Sequence, residues 1–134
     1  DWSSDVCSSD LKNITVRLTA RLFAEEKCYG PGVEQLLKAV EKHRSLRAAA
    51  ASMSMAYSKA WSIIRAAEQG FGCKLLHSTI GGSGGGGAEL TDEARQIMAA
   101  YETYCARLNE YGQALFGELF PFCARENHID STRK

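Results

Sequence analysis

The chain has 134 residues, is 45% apolar and carries no formal net charge. That balance suits one soluble domain with a modest core, and no apolar run reaches membrane-spanning length. The five cysteines (Cys7, Cys28, Cys73, Cys105 and Cys123) show no Cys-x-x-Cys spacing, and no Ser/His/Asp or Cys/His grouping has motif support. Reduced thiols are expected, with no metal, no cofactor and no enzymatic activity.

Residues Asp1–Leu11 read DWSSDVCSSDL. They resemble the in-frame translation of a sequencing-library adapter, a non-native leader that carries no information about the fold. No export signal is recognisable, which points to a cytoplasmic protein. From Ile14 to Leu22 apolar and polar residues alternate, the period-two signature of a half-buried strand. Cys28 and Tyr29 are expected to return as a short second strand before Gly30-Pro31-Gly32 stops it.

Val33, Leu36, Leu37 and Val40 then recur at helical spacing, predicting a helix from about Val33 to His43, and Pro31 two residues before the stripe suits a helix start. Ser45 is placed to cap a short helix through Met53, whose Ala48–Ala51 run is small enough for close helix approach. Ser54-Met55-Ala56 interrupts it. A third helix is expected from Tyr57 to Gln69, ended by Gly70 and Gly72. Leu75 and Leu76 start a strand, Ala88–Leu90 its return, and Gly81–Gly87 the loop between. That loop is no Walker P-loop, since no Gly-Lys-Ser/Thr follows it. Thr91 caps a last helix reaching about Gly117, with Asp92 and Glu93 at its positive end.

Charge is distributed unevenly. Seven basic and two acidic residues lie between Leu36 and Lys74, against three basic and seven acidic between Glu89 and Glu126. One half therefore seeks anions. Helical spacing sorts the third helix: Ala60, Ile64 and Ala67 face inward, while Tyr57, Ser58, Trp61, Ser62 and Arg65 face outward with Lys59 at the edge. Cations, hydroxyls and aromatic rings on one outer face suit phosphates, base edges and sugars. Ser45 and Arg47 lie at the start of the preceding helix, where backbone N–H groups also hold phosphate. The short turn forces a steep crossing, so the second helix can project into a major groove. Tyr57 and Trp61 also fit a plainer role as packing residues, and the glycine run that of a bare linker.

The blocks Ser45-Leu46-Arg47-Ala48-Ala49-Ala50, Tyr57-Ser58-Lys59-Ala60-Trp61 and Gly81-Gly82-Ser83-Gly84-Gly85-Gly86-Gly87-Ala88-Glu89-Leu90-Thr91 follow Gly30-Pro31-Gly32 in order. Together they resemble the N-terminal domain of molybdate-responsive regulators of the ModE type, relatives of the LysR-type DNA-binding domain. The resemblance covers about residues 14–115. It implies a mainly α fold with small β elements, a winged helix-turn-helix. It also implies double-stranded DNA as partner, a homodimer, and transcriptional control tied to molybdate or tungstate uptake. Tyr57, Ser58, Lys59 and Trp61 would belong to the DNA-reading helix, and Gly82, Ser83 and Gly84 to the wing.

Three departures matter. Ser54 stands where glycine is usual, and a left-handed backbone there costs roughly 1 kcal/mol. Ala56 replaces a capping serine. No Lys or Arg occurs from Leu75 to Glu93, so the wing offers phosphate backbone N–H groups without charge. The family's oxyanion-binding domains have no evident counterpart in this sequence, so either a separate oxyanion-sensing partner, a response to something else, or no sensing at all is expected.

The last helix carries Ile97, Tyr101, Tyr104, Leu108, Tyr111 and Leu115, a heptad seam suited to a second copy of the chain. Packing of that seam against the first strand is the alternative. The expected organisation is a leader (1–11), a winged helix-turn-helix (12–90), a dimerisation helix (91–117) and a tail (118–134). The tail's Leu119-Phe120-Pro121-Phe122 is placed to clip onto a partner, with a frayed end past Cys123. The competing functional reading is a protein-interaction module that has lost DNA binding and pairs with a full-length regulator.

Overall fold

The computed structural model describes residues 14–79 and 87–123. The leader, the wing tip at Gly82, Ser83 and Gly84, and the end of the tail lie outside them. Two compact units are present: Thr19–Tyr104, and the residues up to Leu18 together with those from Cys105 onward.

The first unit starts with an antiparallel pair, β1 (Leu22–Phe23) and β2 (Lys27–Tyr29). Helix α1 (Pro31–His43) follows, starting two residues before the expected Val33, with proline in its first turn. Its stripe of Val33, Leu36, Leu37 and Val40 is buried, each residue contributing about 1.5–3 kcal/mol by leaving water. The helix ends at Arg44 in a left-handed conformation (φ 65°), unusual for a side chain without local polar help. Two hydrogen bonds hold it: Arg44 N–H donates to Val40 O (2.7 Å), and Arg44 O accepts from Ala88 N–H (3.0 Å).

Helix α2 (Leu46–Ser52) is capped by Ser45, whose Oγ accepts from Ala48 N–H at 3.0 Å. Ala49 and Ala50 are buried, so their small side chains allow the close approach that the sequence anticipates. The turn contains Ser54 at φ 56°, the strained conformation foreseen for that position. Helix α3 (Tyr57–Phe71) starts at Ala56 with no side-chain cap and ends at Gly72, φ 73°. Ala60, Ile64 and Ala67 on its inner face are fully buried.

Strands β3 (Leu76–Thr79) and β4 (Gly87–Leu90) pair antiparallel, with Leu76 opposite Leu90 and Thr79 opposite Gly87. A Cβ at Gly87 would lie 2.3 Å from Thr79 Oγ1 and 3.2 Å from Arg44 O, so only glycine fits there. Helix α4 (Asp92–Leu119) starts beside this hairpin. Thr91 Oγ1 accepts from Ala94 N–H (3.1 Å) and donates to Lys74 O (2.7 Å), which caps the helix and fixes the chain leading into the wing. Ala94, Met98 and Tyr101 face the core. Arg95–Glu41 (2.6 Å) and Lys38–Glu102 (3.0 Å) ion pairs tie α4 to α1.

In the second unit the segment up to Leu18 lies along α4. Asn109 exchanges two hydrogen bonds with the Leu18 backbone, at 2.9 and 3.0 Å. Gln113 Nε2 donates to Val16 O. Phe116 and Phe120 stack, with centroids 4.8 Å apart.

The strand expected over Ile14–Leu22 is largely absent. Only Leu22 and Phe23 pair with β2. The alternating exposure survives, with Val16, Leu18, Ala20 and Leu22 half-buried and Arg17, Thr19 and Arg21 exposed. A ladder needs a partner of equal length, and β2 has three residues. Side chains of α4 take Val16 O, Leu18 N–H and O, and Ala20 O instead.

Candidate nucleic-acid interface

Helix α3 is a ridge with two flanks. Its inner face is fixed by Ala60, Ile64 and Ala67, leaving Ser58, Lys59, Trp61, Ser62 and Arg65 exposed and Tyr57 half-buried. Trp61 is 41% exposed, too open to be a core residue of this unit. Ser62 donates its hydroxyl to Lys59 O at 2.9 Å, so it faces outward mainly as an acceptor.

On the wing flank, an open cleft of 690 Å³ is lined by Ser45, Arg47, Tyr57, Trp61, Lys74 and His77 among others. The Arg47 guanidinium carbon sits 4.2 Å above the Tyr57 ring, a cation–π contact that holds both side chains at the cleft edge. Ser45 Oγ is committed as an acceptor to the α2 cap, which leaves its O–H to donate. Arg65 reaches a shallower hollow with Trp61 and Lys74. On the opposite flank, a cleft of 320 Å³ is lined by Arg21, Lys27, Lys59 and Ser62, among others. Each cluster of cations borders the same helix from a different side.

The fold thus brings Ser45, Arg47, Tyr57 and Trp61 to one cleft and Lys59 and Ser62 to the other, with Ser58 and Arg65 exposed on the ridge. Gly82, Ser83 and Gly84 are outside the described residues. Sequence reasoning missed Lys74 and His77 as cleft residues. Lys74 counted only towards bulk charge, and His77 reaches the cleft through the β3–β4 register, where it lies 3.6 Å from Glu89. It also missed Arg21 and Lys27, which had no helical periodicity to mark them.

The seam residues separate by position. In the first unit Ile97 is half-buried and Tyr104 is 55% exposed. Tyr101 stands elsewhere than its spacing suggests: it is 7% exposed, donates its hydroxyl to Ala20 O at 2.7 Å and packs its ring edge-on to Tyr29. Buried against Tyr29 and bonded to Ala20, it belongs to the core. In the second unit Leu108 is half-buried, while Tyr111 and Leu115 are 76% and 54% exposed.

Among the described residues, no three His, Cys, Asp or Glu side chains converge as a metal site, and no helix is long and apolar enough to cross a membrane.

Comparison with known proteins converges on this region. Residues 35–95 match the bacterial regulatory helix-turn-helix protein family of the LysR type. The chain is 31% identical over 104 residues to the molybdenum transport protein ModE of Herbaspirillum seropedicae, covering 78% of this chain and 34% of that protein. It is 29% identical over 89 residues to the transcriptional regulator ModE of Haemophilus influenzae, 66% of this chain and 33% of that one. Against the molybdenum transport protein ModE of Azotobacter vinelandii, identity is 36% over 67 residues, 50% of this chain and 25% of that one. The chain spans between a quarter and a third of the length of these curated relatives. Residues 35–95 are thus similar to the LysR-type regulatory helix-turn-helix, in a chain similar to part of the ModE-type regulators.

Proposed function

We propose that the chain is a transcriptional regulator that binds double-stranded DNA as a homodimer, with α3 as the reading helix. The observation that carries this reading is the division of α3: three fully buried small or branched residues on one face, and Ser58, Lys59, Trp61, Ser62 and Arg65 free on the other. A helix of this kind fits a major groove about 12 Å wide. In this reading Lys59 and Arg65 take phosphates or guanine edges. Ser58 and Ser62 take polar base or phosphate atoms, and Tyr57 and Trp61 take sugars or thymine methyls. Ser45 and Arg47 add phosphate contacts from the start of α2, and the wing residues Gly82, Ser83 and Gly84 add backbone N–H groups.

The exposed seam positions Tyr104, Tyr111 and Leu115 support self-association along α4. A two-fold pair would set its reading helices about 34 Å apart, one DNA turn. The names of two relatives, which mention molybdenum transport, support control of molybdate or tungstate transport genes. In this reading the protein is cytoplasmic, in keeping with a DNA-binding role.

Fluorescence anisotropy with a palindromic duplex taken upstream of molybdate-transport genes tests the reading. Salt-sensitive binding is expected, weakened at least several-fold by Lys59→Ala and by Arg65→Ala. If both variants bind like the parent, α3 is not the reading helix. If the parent binds no duplex at low salt, the interaction-module reading takes its place.

A further inference from the structure

We infer that the cleft on the β1–β2 flank of α3 holds a second DNA backbone strand, with the phosphodiester oxygens bound by Arg21, Lys27 and Lys59. This rests on the duplex-binding reading above and extends it to residues outside the helix-turn-helix.

The cleft has a volume of 320 Å³ and is lined by those three cations with no carboxylate among its lining residues. All three side chains are exposed. None is in an ion pair with another described residue, in contrast to Lys38 and Arg95, whose charges are answered by Glu102 and Glu41. Three unneutralised cations facing one hollow repel one another, and an anion relieves that repulsion. The hydroxyl of Ser62 and the apolar wall of Val33, Ile63 and Ala66 complete the surface.

The shape identifies the anion's source. An α-helix with its side chains is about 10–12 Å across, and the major groove is about 12 Å wide. A helix seated in that groove therefore has a phosphate backbone along each flank. The wing-side cleft provides Arg47 and Lys74 for one strand. The β1–β2 side provides the counterpart, and its lining runs along α3 from Lys59 to Ala66, two turns of helix. A free phosphate ion needs one convergent point. A polyanion follows an elongated surface, and this lining follows α3 for two turns with three cations among its residues.

The cleft also explains how Arg21 is held. A Cβ on Gly30 would come 3.3 Å from Arg21 Cγ, so the arginine stem lies across a glycine while its guanidinium stays free. Removing charge without removing this packing calls for glutamine, which keeps the Cβ and Cγ that lie against Gly30.

The test is the salt dependence of duplex binding by the full chain, for the parent, the double variant Arg21→Gln/Lys27→Gln, the charge-keeping double variant Arg21→Lys/Lys27→Arg, and Arg65→Gln. Each lost phosphate contact lowers the slope of log K against log salt by about 0.9. The glutamine pair is expected to lower it by roughly twice that per protomer, and the charge-keeping pair to restore it. The ratio of specific to random-sequence affinity should stay constant, because phosphate contacts carry no sequence information. Thermal melting of each variant guards against unfolding. A parental slope in the glutamine pair, beside weakened binding by Arg65→Gln, overturns this inference alone. A glutamine pair that changes the specificity ratio also overturns it. A parent that binds no duplex overturns both this inference and the reading beneath it.

Discussion

At the scale of single residues, strain and burial concentrate at a few positions. Ser54 holds φ 56° in the turn before α3, with its N–H bonded to Ala51 O at 3.0 Å and Met55 N–H bonded to Ala50 O at 2.9 Å. Those bonds fix a conformation that glycine adopts freely. Ser54→Gly should therefore stabilise the fold by about 0.5–1 kcal/mol, the relief of strain exceeding the added entropy of the unfolded chain. Urea denaturation measures it, and a destabilised variant would refute the strain argument.

Glu34 is the one buried charged residue among those described, 6% exposed. Its Oε1 accepts from the Tyr29 hydroxyl at 2.6 Å, while Oε2 has no hydrogen-bond partner among the described residues. Lys38 Nζ is 3.9 Å from that oxygen and closer, at 3.0 Å, to Glu102. Burial raises the Glu34 carboxyl above the usual glutamate range; the Tyr29 hydrogen bond opposes this and the neighbouring Glu102 reinforces it. Burial, and then the bond to Glu34, also keep the Tyr29 hydroxyl protonated far above its ordinary value. Glu34 thus holds its proton more tightly folded than unfolded. Its contribution to stability is complete below the ordinary glutamate value, about 4.3, and is lost as pH rises through the raised folded value. Glu34→Gln keeps an acceptor for Tyr29 and cannot ionise. The parent should lose stability relative to this variant as pH rises from about 4 towards neutrality, followed by urea midpoints. A pH-independent difference would show that the carboxylate ionises without penalty.

At the scale of elements, α4 serves different purposes along its length. Its first turns are bound to the winged domain by Ala94, Met98 and Tyr101 and by the Arg95–Glu41 and Lys38–Glu102 pairs. Further along, Tyr111, Leu115 and Leu119 are mostly exposed, a run of large apolar side chains that a helix in water leaves open only at a cost. In the same stretch, Asn109 and Gln113 face the segment ending at Leu18, so one side of the helix is occupied and the apolar side is free. Tyr111→Asp should shift sedimentation towards monomer at micromolar concentration while leaving helix content unchanged. An unchanged dimer would remove α4 as the contact.

At the scale of the whole molecule, zero net charge conceals a separation of signs. The basic segment from Leu36 to Lys74 contains the helix-turn-helix, and the acidic one from Glu89 to Glu126 contains α4. The separation holds along the chain, and where the two segments meet within the first unit the signs pair, Lys38 with Glu102 and Arg95 with Glu41.

The sequence by itself determined the helices, their caps and the outward face of α3. These depend on interactions within a few residues: periodic apolar positions, the Ser45 and Thr91 hydroxyls, glycine at a helix end. The strained Ser54 was legible for the same reason. What only the tertiary structure decided lies far apart in the chain. The alternation is real in exposure from Val16 to Leu22, though not at exposed Ile14, yet Asn109 and Gln113, more than 90 residues away, take backbone groups that a strand partner would have used. Tyr101 fits the heptad by spacing, but the hollow beside Tyr29 claims it. Arg21 and Lys27 join Lys59 at one cleft only because β1 and β2 pack beside α3. Local periodicity reports which face of an element is apolar; which surface that face meets is set by packing between distant segments, and spacing alone carries no trace of it.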